Sequence, residues 1–429
     1  MKCTKKVRNR LKSSISAVAS KKSEFCSHPE KDFIRNRKLN FEDTIHFILS
    51  MSVHSIPGEL RNYFESVSKM PTKSAFIQQR QKIAPEAFRE IFDRFTGSFN
   101  LKKTFKGYRL LAVDGTSVNL PHNPADVNTS VRTNPKAESY NTLHINALYD
   151  LMNMVYTDYM IDLGVDVHES AALNCMAKKL PDLNKTIFLG DRGFGSLPAI
   201  YRLSEIKANF VIRCKDITSN GFLTRMVPSE GEFDLHISKI LTRSRKEEFR
   251  SNPEYVIVSG RNSLDFSNNK CYPVSFRACR FMLPSGNYEC LVTNLPRSKF
   301  PVSVLKKIYM MRWGIETSFR DLKYAIGLVY FHAKKLNSVL QEIHATLIMM
   351  NFCSLVISSI TLKQKSSWKY EHKINFAAAV GCCRSFFNCG KTEILNSLFY
   401  DQTLIRPDRH YGRNLHDTKP AKSMNYRVS

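Results

Sequence analysis

Arg109-Leu-Leu-Ala-Val-Asp-Gly115 is a short apolar run that ends on a carboxylate followed by glycine. Such a run, with a polar loop rich in Asn and Pro after it, reads as a buried strand. The pattern returns at Thr186-Ile-Phe-Leu-Gly-Asp-Arg-Gly-Phe-Gly195. Between the two lie further apolar runs, Leu143 to Leu151 and Met154 to Leu163, and a helical stretch from Glu169 to Leu180. The order is strand, strand, strand, helix, strand, which predicts an α/β core. A sheet with that order can bring Asp114 and Asp191 together, because strand ends are rigid and the glycine after each aspartate allows close approach. Taken singly, either aspartate would more often be a turn former or a helix cap.

Downstream, Ile308-Tyr-Met-Met-Arg-Trp-Gly-Ile-Glu-Thr-Ser-Phe-Arg-Asp-Leu-Lys323 carries the second signal. Tyr309, Arg312, Glu316 and Lys323 are separated by steps of three, four and seven residues. At about 100° per residue a helix keeps them within roughly 60° of one another, with Ile308, Ile315, Phe319, Leu322 and Ile326 in an apolar stripe roughly 80° away. An amphipathic helix with a merely solvated charged side would show the same pattern. Its meaning therefore depends on partners elsewhere.

The rest of the chain divides around these motifs. Residues from Phe33 to about Phe99 read as short amphipathic helices, Phe41 to Met51, Glu59 to Val67, Ser74 to Ile83 and Pro85 to Phe95, with a break at Ile56-Pro57-Gly58. They predict a separate helical module over 1–105. The gap from Asp191 to Glu316 is longer than a connection within a compact core needs. Its middle is strand-like at Phe233 to Ile237, Tyr255 to Ser259, Tyr272 to Leu283 and Tyr288 to Asn294. The expected layout is a first core segment at 106–215, a β-rich insertion at 216–298, a second core segment at 299–375 and a basic tail at 376–429. Ala345 to Leu362 is apolar and near membrane length, but its Thr346, Asn351, Ser354 and Ser358 favour a buried core helix.

Composition narrows the partners. The 429 residues carry a formal charge of +26, with a pI near 9.6, which points to a polyanion, nucleic acid first. Eleven cysteines, an odd count at irregular spacings, include no zinc-knuckle or redox pair. They read as reduced thiols of a cytosolic protein, and Cys382, Cys383 and Cys389 form the one cluster worth a metal assay. The basic start is followed by a serine-rich stretch from Leu11 to Ser20 rather than the apolar block of a signal peptide.

Asp114, Asp191 and Glu316 would supply three carboxylates from two strand ends and a helix. Carboxylate oxygens suit Mg²⁺, and two such ions roughly 3.5–4 Å apart can hold the attacking and leaving oxygens of a phosphodiester displacement. Arg312 and Lys323 offer cations to phosphate, and Tyr309 a hydroxyl or a stacking ring.

These motifs, with Val292-Thr-Asn-Leu-Pro296 ahead of the helix, resemble those of the DDE transposases of bacterial insertion-sequence family four, from roughly Phe33 to Asn351. The resemblance implies a ribonuclease-H-like mixed-sheet core interrupted by a β-strand insertion. It implies a homodimer cutting paired transposon ends of double-stranded DNA and joining them to target DNA, in the cytoplasm at the nucleoid and without a membrane. Asp114, Asp191 and Glu316 would hold two Mg²⁺ ions, with Mn²⁺ as substitute. Tyr309, Arg312 and Lys323 would grip the cleaved strand, where family members form a hairpin and flip out a base. Arg213, in Asn209-Phe-Val-Ile-Arg-Cys-Lys215, matches a family arginine at the same DNA, and Arg192 is a further candidate. Where the family has a stacking tryptophan in the insertion, this chain has only Trp313 and Trp368; Tyr288 lies near that place.

By position the N-terminal module would recognise DNA, and Ser74-Ala-Phe-Ile-Gln-Gln-Arg-Gln81 carries groups able to read base edges. A plain surface helix accounts for them equally. Two other functions compete with cut-and-paste transposition: a catalytically inactive DNA-binding regulator derived from such an element, and a hydrolase of a small phosphate. Three clustered acids that would repel DNA without metal argue against the first, and the charge argues against the second.

Overall fold

The computed structural model describes residues 2–35, 37–132, 134, 136–164, 169–258 and 264–405. The basic stretch 406–429 of the expected tail lies outside the described residues. Five helices come first: α1 Lys2–Ala19, α2 Phe41–Ser50, α3 Ile56–Tyr63, α4 Lys73–Arg80 and α5 Glu86–Gly97. The core then runs β1 Arg109–Asn119, β2 Ser130–Val131, β3 Tyr140–Asp150, β4 Val155–Leu163, α6 Glu169–Lys178, β5 Thr186–Gly190, α7 Leu197–Glu205 and β6 Asn209–Cys214. Next come β7 Phe233–Thr242, α8 Glu247–Arg250, β8 Tyr255–Ile257, β9 Tyr272–Met282 and β10 Tyr288–Thr293. The chain closes with α9 Val302–Met311, α10 Trp313–Arg320, α11 Leu336–Ser358, β11 His372–Ile374, α12 Phe376–Cys389 and β12 Gln402–Leu404.

A ten-stranded mixed sheet is the spine, in the order β2-β3-β1-β5-β6-β10-β9-β7-β8 with β4 beside β3. β1 runs antiparallel to β3, with Asp114 opposite Ala147, and parallel to β5. The alternation of side chains along β1 divides the core: Leu111 and Val113 join one apolar cluster with α6 and α7, whereas Ala112 and Val118 join another with α10, α11 and the N-terminal helices. The strands read as an insertion extend the central sheet, because β10 pairs with β6 and β9 with β10.

The N-terminal helices bury Phe47, Phe76, Phe88, Phe92 and Phe95 in the same cluster as Leu347, Met350 and Phe352 of α11. They therefore pack into the body of the protein. α1 lies in the stretch the sequence reading left unassigned. Val7, Leu11, Ile15 and Val18 are buried along it at helical spacing, a signal masked by the intervening lysines and serines. Ile56-Pro57-Gly58 is no break but the first turn of α3, where proline's missing N–H costs nothing. Arg80, counted among groups able to read bases, is turned inward: Nη1 donates to Glu342 Oε1 at 2.8 Å, Nη2 to Ser338 O at 2.9 Å and Nε to Gln341 Oε1 at 3.2 Å. α11 is long and apolar enough to cross a membrane by length and composition, and most of it is buried against its neighbours.

The helix from Ile308 to Lys323 is not one uninterrupted cylinder. Around Arg312 the bonds tighten to three-residue steps, Arg312 N to Tyr309 O and Ile315 N to Arg312 O, each 3.0 Å. From Asp321 to Ile326 it widens into a π turn, ended by Gly327 at φ 103°. Lys323 thus stands in the π turn, outside the α-helical frame that carries Arg312 and Glu316.

Candidate active site

Asp114 sits within β1, half-buried, where the strand leaves the apolar core, and its Oδ1 accepts the Gly115 N–H at 2.8 Å. Asp191 follows β5 directly and caps the turn after it, Oδ1 accepting the Gly193 N–H at 2.8 Å. β1 and β5 are parallel neighbours, so the two carboxylates emerge side by side from one end of the sheet. Glu316 comes from α10, which packs on β1. Between Glu316 and Asp114 stands Arg312, 3% exposed. Its Nη2 lies 2.6 Å from Glu316 Oε1 and its Nη1 3.7 Å from Asp114 Oδ2.

Burial pushes the Asp114 carboxyl up to about 6. The Gly115 N–H and Arg312 oppose that rise, and the charges of Asp191 and Glu316 add to it. The three acids named from sequence are thus electrostatically coupled, with negative charge in excess. Arg312 is itself incompletely satisfied, since Nε and Nη1 lack hydrogen-bond partners. Among the described residues no group of three metal-ligating side chains is assembled as a ready-made metal site. The donor chemistry nevertheless fits a hard divalent cation: three carboxylates supply oxygen ligands, and one of them, Asp114, is raised by burial, a rise that a bound cation would oppose.

The remaining candidates divide. Tyr309 is 3% exposed and its hydroxyl has no hydrogen-bond partner; burial raises it to about 12, against the pull of Arg312 and Arg213. Arg213, on β6, pairs with Glu289 of β10, Nε to Oε2 at 3.2 Å. Glu289 is itself raised by burial and held down by Arg213, Arg312 and the exposed Arg192. These arginines and Tyr309 therefore share one electrostatic neighbourhood with the acids. Lys323 is half-buried in the π turn, its ammonium lowered by burial, and no contact among the described residues joins it to the acids. Tyr288 carries the Arg280 guanidinium 3.6 Å from its ring centroid, so one ring face is already covered.

Three residues beside the acids had no motif to announce them. Glu289 is one acid in an otherwise apolar strand. The others, Glu169 and His144, lie 3.4 Å apart, Oε1 to Nε2. A Cβ on Gly115 would collide with the His144 ring and stand 2.8 Å from Glu169 Oε1, and one on Gly193 would stand 3.0 Å from Glu169 Oε2. The close approach of the His144 ring leaves no room for a side chain at Gly115, and Glu169 crowds Gly193 less severely. Period-2 counting along β3 could have put His144 beside Ser117, but nothing local predicts the reach of Glu169.

The profile of the transposase DDE domain matches residues 105–352, a span that holds Asp114, Asp191 and Glu316. InsL of insertion sequence element IS186A from Escherichia coli strain K12 is 24% identical over 250 residues, 53% of this chain and 60% of that protein. The transposase for insertion sequence element IS421 of Escherichia coli is similar to the same extent. The chain thus spans 60% of the length of these curated relatives. Among solved structures, a piggyBac transposase synaptic complex with hairpin DNA aligns over 93% of this chain and 82% of that one, with TM-score 0.46 and 10% identity, a likeness too slight to carry an argument. Since the matched profile covers more than half of the chain and encloses all three coupled acids, the protein belongs to the transposase DDE domain family.

Proposed function

We propose that the protein is a cut-and-paste DNA transposase with a ribonuclease-H-like core, cutting the terminal inverted repeats of its insertion sequence and joining them to target DNA. The observation that carries this reading is geometric: parallel strands β1 and β5 carry Asp114 and Asp191, α10 packs Glu316 onto β1, and buried Arg312 lies 2.6 Å from Glu316 and 3.7 Å from Asp114 with two nitrogens short of hydrogen-bond partners. Asp114, Asp191 and Glu316 would hold two Mg²⁺ ions, or Mn²⁺ in their place. Bound there, such ions supply charge neutralisation and activation of the attacking oxygen.

In this scheme the chain's own groups position the strand. Arg312 presents unpaired N–H groups to a phosphate next to the acids. Arg213 and Arg192 extend the cationic lining, Lys323 contributes a phosphate contact from the π turn, and Tyr309 and Tyr288 form aromatic walls. The helical region 1–105 would recognise the terminal repeats, two copies would act on paired ends in the bacterial cytoplasm, and a hairpin intermediate would follow first-strand cleavage. A second reading, an inactive DNA-binding regulator, draws on the Arg312–Glu316 ion pair, which occupies one carboxylate.

Labelled DNA carrying the element's ends, with Mg²⁺ or Mn²⁺, tests the choice. Cleavage is expected in the parent and should drop by about 10⁴-fold, near 5.5 kcal/mol of barrier, in Asp191→Ala and Glu316→Ala while DNA binding persists. A parent that binds but never cuts with either metal supports the regulator instead. Arg312→Ala and Lys323→Ala should weaken cutting more than binding.

A further inference from the structure

Beside the Asp191 loop, between the start of α7, the residues after β6 and strand β8, lies a cleft of about 990 Å³. Arg192, Lys215, Arg225, Lys239 and Arg250 line it, and among the described residues no carboxylate does. This part of the chain is not short of acids, for Asp216, Asp234, Glu247, Glu248 and Glu254 all fall within it. They are directed elsewhere. Asp216 pairs with Arg280 at 2.7 Å and Asp234 with Arg277 at 2.6 Å, while the three glutamates stay off the cleft wall. Charge is therefore sorted by position. Arg192, Lys215, Arg225 and Arg250 are exposed, and among the described residues none of them is neutralised by a salt bridge. Lys239 donates to Pro253 O at 2.7 Å.

Two further observations bear on the occupant. The walls contributed by Arg192 to Pro198 and by Lys215 to Met226 follow the ends of β5 and β6, parallel neighbours in the sheet. Open α/β sheets take their ligands at those ends. Phe222 and Tyr255, both half-buried, add ring surface to the lining. A basic groove with interspersed rings is the composition that holds one nucleic-acid strand, phosphates on the cations and bases against aromatic faces. A recess of this size admits a few nucleotides of a single strand.

We infer that this cleft is the channel for a single DNA strand running between β8 and the Asp191 loop. Its placement next to cleavage chemistry rests on the transposase reading; its affinity for a strand does not. The test uses the full chain in EDTA and a fluorescein-labelled oligothymidylate of about twenty nucleotides, read by anisotropy across a salt series. The parent should bind. A Lys215→Ala, Arg225→Ala, Arg250→Ala variant, checked for an unchanged circular dichroism spectrum and melting temperature, should bind at least about tenfold more weakly. Its slope of log affinity against log salt should shrink by about 2, three removed contacts at roughly 0.7 each. Restoring charge with lysine at 225 and 250 should recover most of the loss.

A parent that does not bind the oligonucleotide overturns the channel, and so does a variant with the parent's affinity and slope. An equal loss on duplex DNA also overturns it, marking a general phosphate surface instead. If the parent binds the strand through these residues but never cuts transposon ends with metal, the transposase reading fails and the channel stands.

Discussion

Arg80 and Arg312 are buried to nearly the same degree, 1% and 3% exposed, yet their surroundings differ. Arg80, at the end of α4, has a partner at all three nitrogens, and its main one, Glu342, also accepts the His332 N–H at 2.8 Å. Together with the Arg80 charge, the bonds from His332 hold the buried Glu342 carboxyl down at about 2, against the opposing cost of burial. Arg312 makes one good bond, to Glu316, and leaves two nitrogens unmet beside a carboxyl raised to about 6. The first arrangement is closed and joins α4 to α11. The second is open, and the unmet donors and surplus carboxylates are what a phosphate and a cation would satisfy. The Arg80 charge, with a partner at each nitrogen, ties two helices together, whereas the unmet nitrogens of Arg312 beside the acids are the ones a ligand could reach.

Replacement of the two arginines should separate these roles. Arg80→Met leaves Glu342 buried without its cation and should cost about 3 to 5 kcal/mol of stability by denaturant unfolding. The same network predicts an acid limb. A carboxyl held below its ordinary 4.5 stabilises the fold above that pH, and the contribution is lost as pH falls from 4.5 toward 2. Glu342→Gln should flatten that limb; an unchanged acid profile would remove Glu342 from the account. Arg312→Met should instead lower cleavage by about 10² to 10³-fold while stability moves by less than about 1.5 kcal/mol, because Asp114 and Glu316 keep access to water. Equal destabilisation by the two substitutions would erase the contrast.

Gly115→Ala should come next, at about 1 to 3 kcal/mol of stability, together with lost cleavage, since the added methyl runs into His144 and Glu169 beside Asp114. The smallest effect is a proton count. At pH 6 a carboxyl raised to about 6 is half protonated, and a cation favours its charged form. Mg²⁺ binding near that pH should therefore release up to about half a proton per chain in the parent and less in Asp114→Asn. Calorimetry in buffers of different ionisation heat measures it, and equal release by the two proteins would mean that Asp114 does not sense the metal.

Much of the core was legible because its signals are local. The strand that leads into Asp191, the helix at Glu169 and the strands from Phe233 to Thr293 begin within a few residues of their expected places, since apolar runs and periodicity two depend on near neighbours, whereas β1 continues past its expected end at Val113 to Asn119 and leaves Asp114 mid-strand. α1 was legible but hidden, its buried positions separated by lysines. The π turn that carries Lys323 was not, because it depends on how the segment meets Gly327 and the packing of Leu322 and Ile326 rather than on residue type.

By itself the sequence determined the residue types and their order: two aspartates each closing an apolar run, glycines after them, Arg312 and Glu316 one helical turn apart, and a large excess of cations. Only the tertiary structure decided which of these charges would be answered. It closed Arg80 with Glu342, 262 residues away, left Arg312 half-partnered, brought Glu169 and His144 against Gly115, and sorted five cations into one cleft that no carboxylate of the described residues lines. The physical reason is that satisfaction of a charge is a property of its spatial neighbours and of the water excluded around it, and neither is written in the spacing of residues along a chain.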